Sequence, residues 1–309
     1  MRFATELEWM DPMTDSPIAT SFASNRPTRT LTRRTRGIAL AVAALLATST
    51  AVAAAAPANA AVSSIKCPSA ACVKAVAGVG EPRVAVSEEA GVVYVLYATS
   101  GELRKINVAT AAISSVATGL GNNLRGFTVT NGNAYVTSWD GSLQQVDLAT
   151  GSHRVLAAGL QPLFGVVHTG ATTYVVDLNG QLIAVPDAGS PRVVATYVGF
   201  TFTIALDNAG FAYTGDMMTG NILQTNLATG VTRALGTQQY EPTSVTLAGD
   251  GQLYFLVGDQ IHRMNPTTGA ETKITTLSLN NTFEIALASN GAAYAANGDL
   301  WQINGLTAP

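Results

Sequence analysis

The chain has 309 residues, of which 47% are hydrophobic and only 12% charged, with a formal net charge of −3. Without a basic excess, nucleic acid is excluded as a partner of the usual electrostatic kind. Two cysteines and three histidines far apart in sequence also leave no paired zinc signature.

Residues 1–60 read as a leader rather than as part of a fold. Arg29, Arg33, Arg34 and Arg36 precede an Ala-rich apolar run from Gly37 to Pro57, which exits through Ala58, Asn59 and Ala60. A basic segment, an apolar stretch and a small-x-small exit are the parts of a secretory signal, which places cleavage after Ala60 and the mature protein outside the cell. A retained membrane anchor is the alternative, because the run nearly reaches spanning length before Thr48, Ser49 and Thr50 interrupt it. Arg33 and Arg34 make a weak match to a twin-arginine signal. Glu6, Glu8, Asp11 and Asp15 are foreign to a signal peptide, so a start codon beyond residues 1–28 is left open.

The remaining residues, 61–309, read as one domain with 11 basic against 16 acidic residues, a formal charge of −5, and no further membrane-spanning run. Cys67 and Cys72, spaced C-x4-C at its start, are expected to form a disulfide in an exported chain. The stretch CVKAVAGVGEP, from Cys72, matches HRVLAAGLQP, from His153, which lies much later in the chain.

That later copy belongs to a repeat. Tyrosines stand at 94, 135, 174, 213, 254 and 294, separated by 41, 39, 39, 41 and 40 residues, each in a short β-favouring run such as VVYV or NAYV. A period near 40, built of short apolar runs between Gly, Asn and Asp turns, predicts four-stranded propeller blades and leaves no room for a helix. In the second copy GFTVT is the inner strand, NAYVTS the next, SLQQVDLAT the third and HRVLAAG the outermost. The tyrosines are expected to pack between blades. The chain ends on DLWQING, a third strand with no successor, so the strand at Cys72 is expected to complete the last of six blades and leave no open ring edge.

The run AYVTSWDGSLQQVDLATG resembles the secreted YVTN-type repeats, and the succession of blades is similar to NHL, streptogramin-lyase and gluconolactonase-like (SMP-30-like) propellers. The resemblance implies an all-β, six-bladed propeller and says little of function, because this scaffold hosts binding proteins, hydrolases, lyases and redox proteins alike.

In such propellers the loops entering the inner strands and those joining second to third strands share one face, around the mouth of the central channel. Thirteen residues before each tyrosine stand Glu81, Asn122, Gln161, Phe200, Glu241 and Asn281, and ten before it Val84, Arg125, Phe164, Thr203, Ser244 and Glu284. Arg125 and Glu284 stand out, since their equivalents are small, apolar or hydroxyl-bearing. Either they form an ion pair filling the channel, with Glu81 between them, or Arg125 binds an anion beside a carboxylate acting as base or metal ligand. Trp139, Phe164, Phe200, Phe202, Met217 and Met218 map to the same face and are read as an apolar wall, with burial under neighbouring loops the alternative. Asp140, Asp177, Asp216 and Asp299 are expected to be turn formers; two or more pointing inward with Glu81, Glu241 or Glu284 would suit calcium or magnesium.

The gluconolactonase resemblance implies a catalytic metal held by a glutamate, an asparagine and an aspartate. Glu81 in GEPRVAV matches the glutamate; at the later blades the residue preceding the inner-strand glycine or its equivalent is Arg125, Phe164, Thr203, Ser244 or Glu284, and never asparagine, so two of the implied ligands are missing. The lyase resemblance implies histidine and glutamate on the mouth face. His168 and His153 are placed in turns on the opposite face and His262 in a third strand. No haem-attachment or nucleotide-binding motif is present. The reading is therefore an exported propeller that binds a protein, glycan or small molecule at its channel mouth through Arg125, Glu284, Trp139, Phe164, Phe200, Phe202 and Glu241, without catalysis. The alternative is a metal-dependent lyase or lactone hydrolase using Glu284, Glu81 or Glu241 with Arg125; a redox propeller is more remote.

Overall fold

The structure is a computed structural model that describes residues 72–80, 83–86, 91–238, 241–258, 260–276, 284–288, 291–304 and 306. Two compact units, Met1–Ala58 and Asn59–Pro309, divide the chain, and every described residue belongs to the second. The leader and Cys67 lie outside the described residues, and with them the signal-peptide and disulfide expectations. No helix among the described residues is long and apolar enough to cross a membrane.

The first strand is β1 (Cys72–Gly80). Blade 1 follows as β2 (Arg83–Val86), β3 (Val92–Tyr97), β4 (Glu102–Asn107) and β5 (Ala112–Ala117). Blade 2 is β6 (Leu124–Thr130), β7 (Asn133–Ser138), β8 (Leu143–Asp147) and β9 (His153–Ala157). Blade 3 is β10 (Leu163–Thr169), β11 (Thr172–Asp177), β12 (Leu182–Pro186) and β13 (Arg192–Ala195). Blade 4 is β14 (Ala205–Leu206), β15 (Phe211–Asp216), β16 (Asn221–Asn226) and β17 (Thr232–Leu235). Blade 5 is β18 (Pro242–Leu247), β19 (Leu253–Val257), β20 (Gln260–Met264) and β21 (Glu271–Thr276). Blade 6 holds β22 (Ala286–Leu287) and β23 (Ala293–Ile303). Each of blades 1 to 5 is an antiparallel meander in chain order.

Local chemistry explains the meanders. Asn131 and Gly132, between β6 and β7, take φ of 49° and 71°, and Thr130 pairs directly with Asn133. Two successive left-handed residues are what a two-residue hairpin needs to follow the twist of its strands, and Asn-Gly is the least strained choice there. The A-T-G turns between third and fourth strands use a side-chain device instead. Asp147 Oδ1 accepts the backbone N–H of Ala149 and Thr150 at 2.9 and 2.8 Å, and Asn226 does the same for Ala228 and Thr229 at 3.0 and 2.9 Å.

Packing closes the ring. Six hydrophobic clusters among the described residues each straddle one seam between neighbouring blades: Tyr135, Leu143 and Ala157 of blade 2, for example, pack on Leu163, Val175 and Ile183 of blade 3. Five of the six repeat tyrosines, Tyr94, Tyr135, Tyr213, Tyr254 and Tyr294, are buried within these seams. Hydroxyls near the axis add direct ties, Thr137 Oγ1 donating to the Phe164 carbonyl and Ser244 Oγ to that of Ile285. Gly126 makes the first of these approaches possible. A Cβ at that position would lie 2.3 Å from the Phe164 carbonyl oxygen, so any side chain would force the blades apart.

The last seam is closed by the chain's other end. β1 pairs antiparallel with β23, Cys72 opposite Ile303 and Val76 opposite Leu300, while the start of β23 pairs with β22, Ala293 opposite Leu287. The long β23 thus serves both second- and third-strand positions, and β1 supplies the outer strand, as the match between CVKAVAGVGEP and HRVLAAGLQP anticipates. Val76 and Val79 then join Tyr294 and Leu300 against Val93, Val95 and Ile106 of blade 1. The molecule is a six-bladed β-propeller.

Candidate functional site

The loops that enter the inner strands are tied to those between second and third strands. Trp139 N–H donates to the Asn123 carbonyl at 3.0 Å, Leu178 to Pro162 at 2.8 Å and Met217 to Phe200 at 3.1 Å. These bonds in blades 2, 3 and 4 put both loop sets on one face, where the side chains from different blades converge.

The aromatic residues form one connected group. The Phe164 ring meets Trp139, Phe200 and Phe202 edge to face, with centroids 5.7, 4.7 and 5.8 Å apart, and Phe200 meets Phe202 at 5.9 Å. Such tilted contacts are the favoured geometry for ring pairs. Phe164 is only 1% exposed, so it is the floor on which the other three, all half-buried, stand. Of the methionines, Met217 is half-buried and Met218 is 78% exposed.

Two arginines cover this group. The Arg125 guanidinium lies over the Trp139 ring, 4.7 Å from its centroid, and that of Arg83 lies over Phe202 at 5.0 Å. Arg83 comes from β2 in blade 1 and Phe202 from blade 4, so the second contact spans the channel. Arg125 makes no hydrogen bond or ion pair among the described residues, and its Nε is buried without an acceptor. Burial, and then the neighbouring Arg83 guanidinium, hold the Arg125 pKa below its ordinary value. Arginine stays charged nonetheless. The structure therefore sets Arg125 against an indole and another cation, not in the ion pair with Glu284 that the sequence left open.

Glu284 stands half-buried just ahead of β22 and is engaged by a neighbouring group. Glu241, ahead of β18, is exposed with φ of 47°. Glu81 and Asn281 lie outside the described residues. No three His, Cys, Asp or Glu side chains come together as a metal site among the described residues.

Asp140, Asp177 and Asp216 are turn formers; Asp299 lies within β23 instead, because that strand runs on without a turn, and its carboxylate reaches across to β1. Asp177, 1% exposed, accepts the N–H groups of Asn179 and Gln181 at 2.9 and 2.8 Å; Asp140 accepts that of Ser142 at 2.9 Å, and Asp299 that of Gly78 at 2.7 Å. Asp216 is fully buried and the most heavily bonded, taking Tyr197 and Thr219 hydroxyls and the Phe200 and Met218 N–H groups. Burial works against its charge, but these four donors outweigh it and leave the carboxyl below the usual aspartate value. Burial and the Asp216 carboxylate together push the Tyr197 phenol up to about 12.

The histidines are away from the mouth. His168 sits within β10 rather than in the turn expected, because the turn begins at Gly170, and it stacks on Tyr135 with centroids 4.0 Å apart. His153 opens β9 and is exposed, and His262 in β20 bonds Glu271 at 2.6 Å. Arg83 was not singled out from the sequence. It stands eleven residues before Tyr94, the repeat position that Phe202 occupies before Tyr213; a third ring counted at that offset would have set both at one height along the axis without showing that they meet.

No protein-family model matches the chain, and no curated protein matches it in sequence. Its fold is shared by many solved structures. A streptogramin B lyase superposes with a TM-score of 0.59 at 12% identity, covering 75% of this chain and 97% of the lyase. A luciferin-regenerating enzyme superposes at 0.60 with 11% identity, covering 76% and 95%. A chain of a nidogen–laminin complex superposes at 0.57 with 18% identity, covering 69% and 84%. At these identities the likeness is one of fold.

Proposed function

We propose that this protein is an exported propeller that binds a ligand at its channel mouth without transforming it. The observation that supports this reading is the convergence there of half-buried rings, Trp139, Phe200 and Phe202, with two arginine head groups from blades 1 and 2. A binding mouth commonly combines an apolar wall with a few converging polar groups. Solved propellers of this shape include a lyase and a member of a protein–protein complex, so the scaffold itself favours neither role.

The test is a small-fragment screen on the purified protein, read by amide and indole N–H chemical shifts. Hits should move the Trp139 indole signal and residues of blades 1 to 4 around it, and mass spectrometry should recover each bound compound intact. Shifts confined to other surfaces would sink the reading. Turnover dependent on added calcium or magnesium and abolished by Glu284→Gln would replace it with the lyase or hydrolase alternative.

A further inference from the structure

The mouth is divided by charge. Its basic and aromatic residues come from blades 1 to 4, whereas Glu241 and Glu284 belong to blades 5 and 6. Within the basic sector the Arg125 guanidinium makes no hydrogen bond among the described residues and faces a second cation. Half-buried cations with open donors are electrostatically unfavourable unless something supplies acceptors. The flat rings beneath give no such acceptor, only a weak attraction through their π faces.

We infer that the basic sector takes an organic oxyanion, its charged group held between Arg83 and Arg125 and its flat apolar body laid against Trp139, Phe200 and Phe202. The inference rests on the binding role proposed above and names the ligand's chemistry. A carboxylate or a phosphate matches the planar fork of a guanidinium, each oxygen receiving an N–H. One oxyanion between the two cations relieves their mutual repulsion as well as satisfying the open donors of Arg125. A ring on the ligand replaces guanidinium-covered aromatic area with stacked aromatic area.

Four probes separate the parts: phenylacetate, phenyl phosphate, the neutral isostere phenylacetamide, and acetate, which has charge without a ring. Titrated calorimetrically and by the Trp139 indole N–H shift, at least one of the two aryl anions should bind at least tenfold more tightly than phenylacetamide and than acetate. Whichever of the two is preferred identifies the oxyanion as carboxylate or phosphate. Arg125→Gln and Arg83→Gln should each weaken that binding by tenfold to a hundredfold, the range expected for a lost charge-assisted pair, with Arg125→Lys recovering part. Phenylacetamide binding as well as the anions, or acetate matching them, overturns the inference even if a variant misfolds. Wild-type affinity in the folded double variant overturns it too. Should neutral rings move the Trp139 signal with no advantage to the anions, the mouth still binds and only the oxyanion falls; should no probe move it at millimolar concentration, both readings fall.

Discussion

Arginines in the outer strands and arginines at the mouth are treated in opposite ways. In blade 2, Arg154 Nε donates to Gln145 Oε1 at 2.9 Å, and Gln145 in turn reaches the Tyr135 hydroxyl at 3.4 Å. Blade 4 repeats the row, Arg233 to Gln224 at 2.7 Å and Gln224 to Tyr213 at 3.0 Å. These rows run straight across the second, third and fourth strands, because the register sets Tyr, Gln and Arg side by side. At the mouth, Arg125 has no such neighbour and its Nε finds no acceptor. One residue type thus completes a sheet's hydrogen bonds in one place and leaves donors facing the channel in the other. Hydrogen-bond satisfaction, rather than charge, tells the arginines of the outer strands from Arg125 at the mouth.

The strongest way to break this contrast is to disturb the ring that carries both regions. Gly126→Ala drives a methyl into the Phe164 carbonyl, so it should cost about 1–3 kcal/mol of unfolding free energy and shift the floor of the mouth. Denaturant titration reads the first effect and the Trp139 indole signal the second; an unchanged midpoint would show that the seam yields more easily than its close packing indicates. A sharper comparison sets Gln145→Ala against Arg125→Gln. The first strands Arg154 and Tyr135 and should cost about 1 kcal/mol in thermal or chemical melts. The second removes no hydrogen bond among the described residues, and the contact it loses over Trp139 is offset by relief of repulsion from Arg83, so stability should stay within about 0.5 kcal/mol.

The smallest effect concerns pH. Burial lowers the His168 pKa below its ordinary value, against weaker opposing pulls from Asp187 and the Gly170 backbone. The unfolded chain therefore binds the proton more readily, and stability from this group is complete above the unfolded value of about 6.5 and declines as pH falls below it. His168→Asn should flatten the melting temperature between about pH 6.5 and 5 relative to wild type. An equally steep wild-type and variant profile would assign the acid sensitivity to other groups.

The wheel itself was legible because its causes are local and repeated. The tyrosine period placed β3, β7, β11, β15, β19 and β23, and the likeness of the Cys72 segment to the outer strand at His153 anticipated the closing pair. The mouth was less so. Trp139, Phe200 and Phe202 could be assigned to one face by counting, but which of them stays accessible depends on how Phe164 wedges beneath them. Arg125 was visible as an odd residue in its ring of positions. Its companion Arg83 was not, because its partner ring lies in the blade opposite, and reach across a channel depends on its width and on side-chain rotamers. The choice left open for Arg125, an ion pair with Glu284 or an unpaired cation, could not be made from the sequence for the same reason: equivalent offsets fix a height along the axis, not a distance across it.

The antiparallel seam between Val76 and Leu300 carries a topological corollary. Strand β1 has no sheet to join until β23 has been synthesised, so the finished circle can form only after both are available. Deleting β1 or the later half of β23 should spoil that same sheet. Joining the old ends and opening new ones at Asn131–Gly132 would instead leave every interlocking strand with its neighbours, converting a fastened band into a seamless one with its gap in a harmless place.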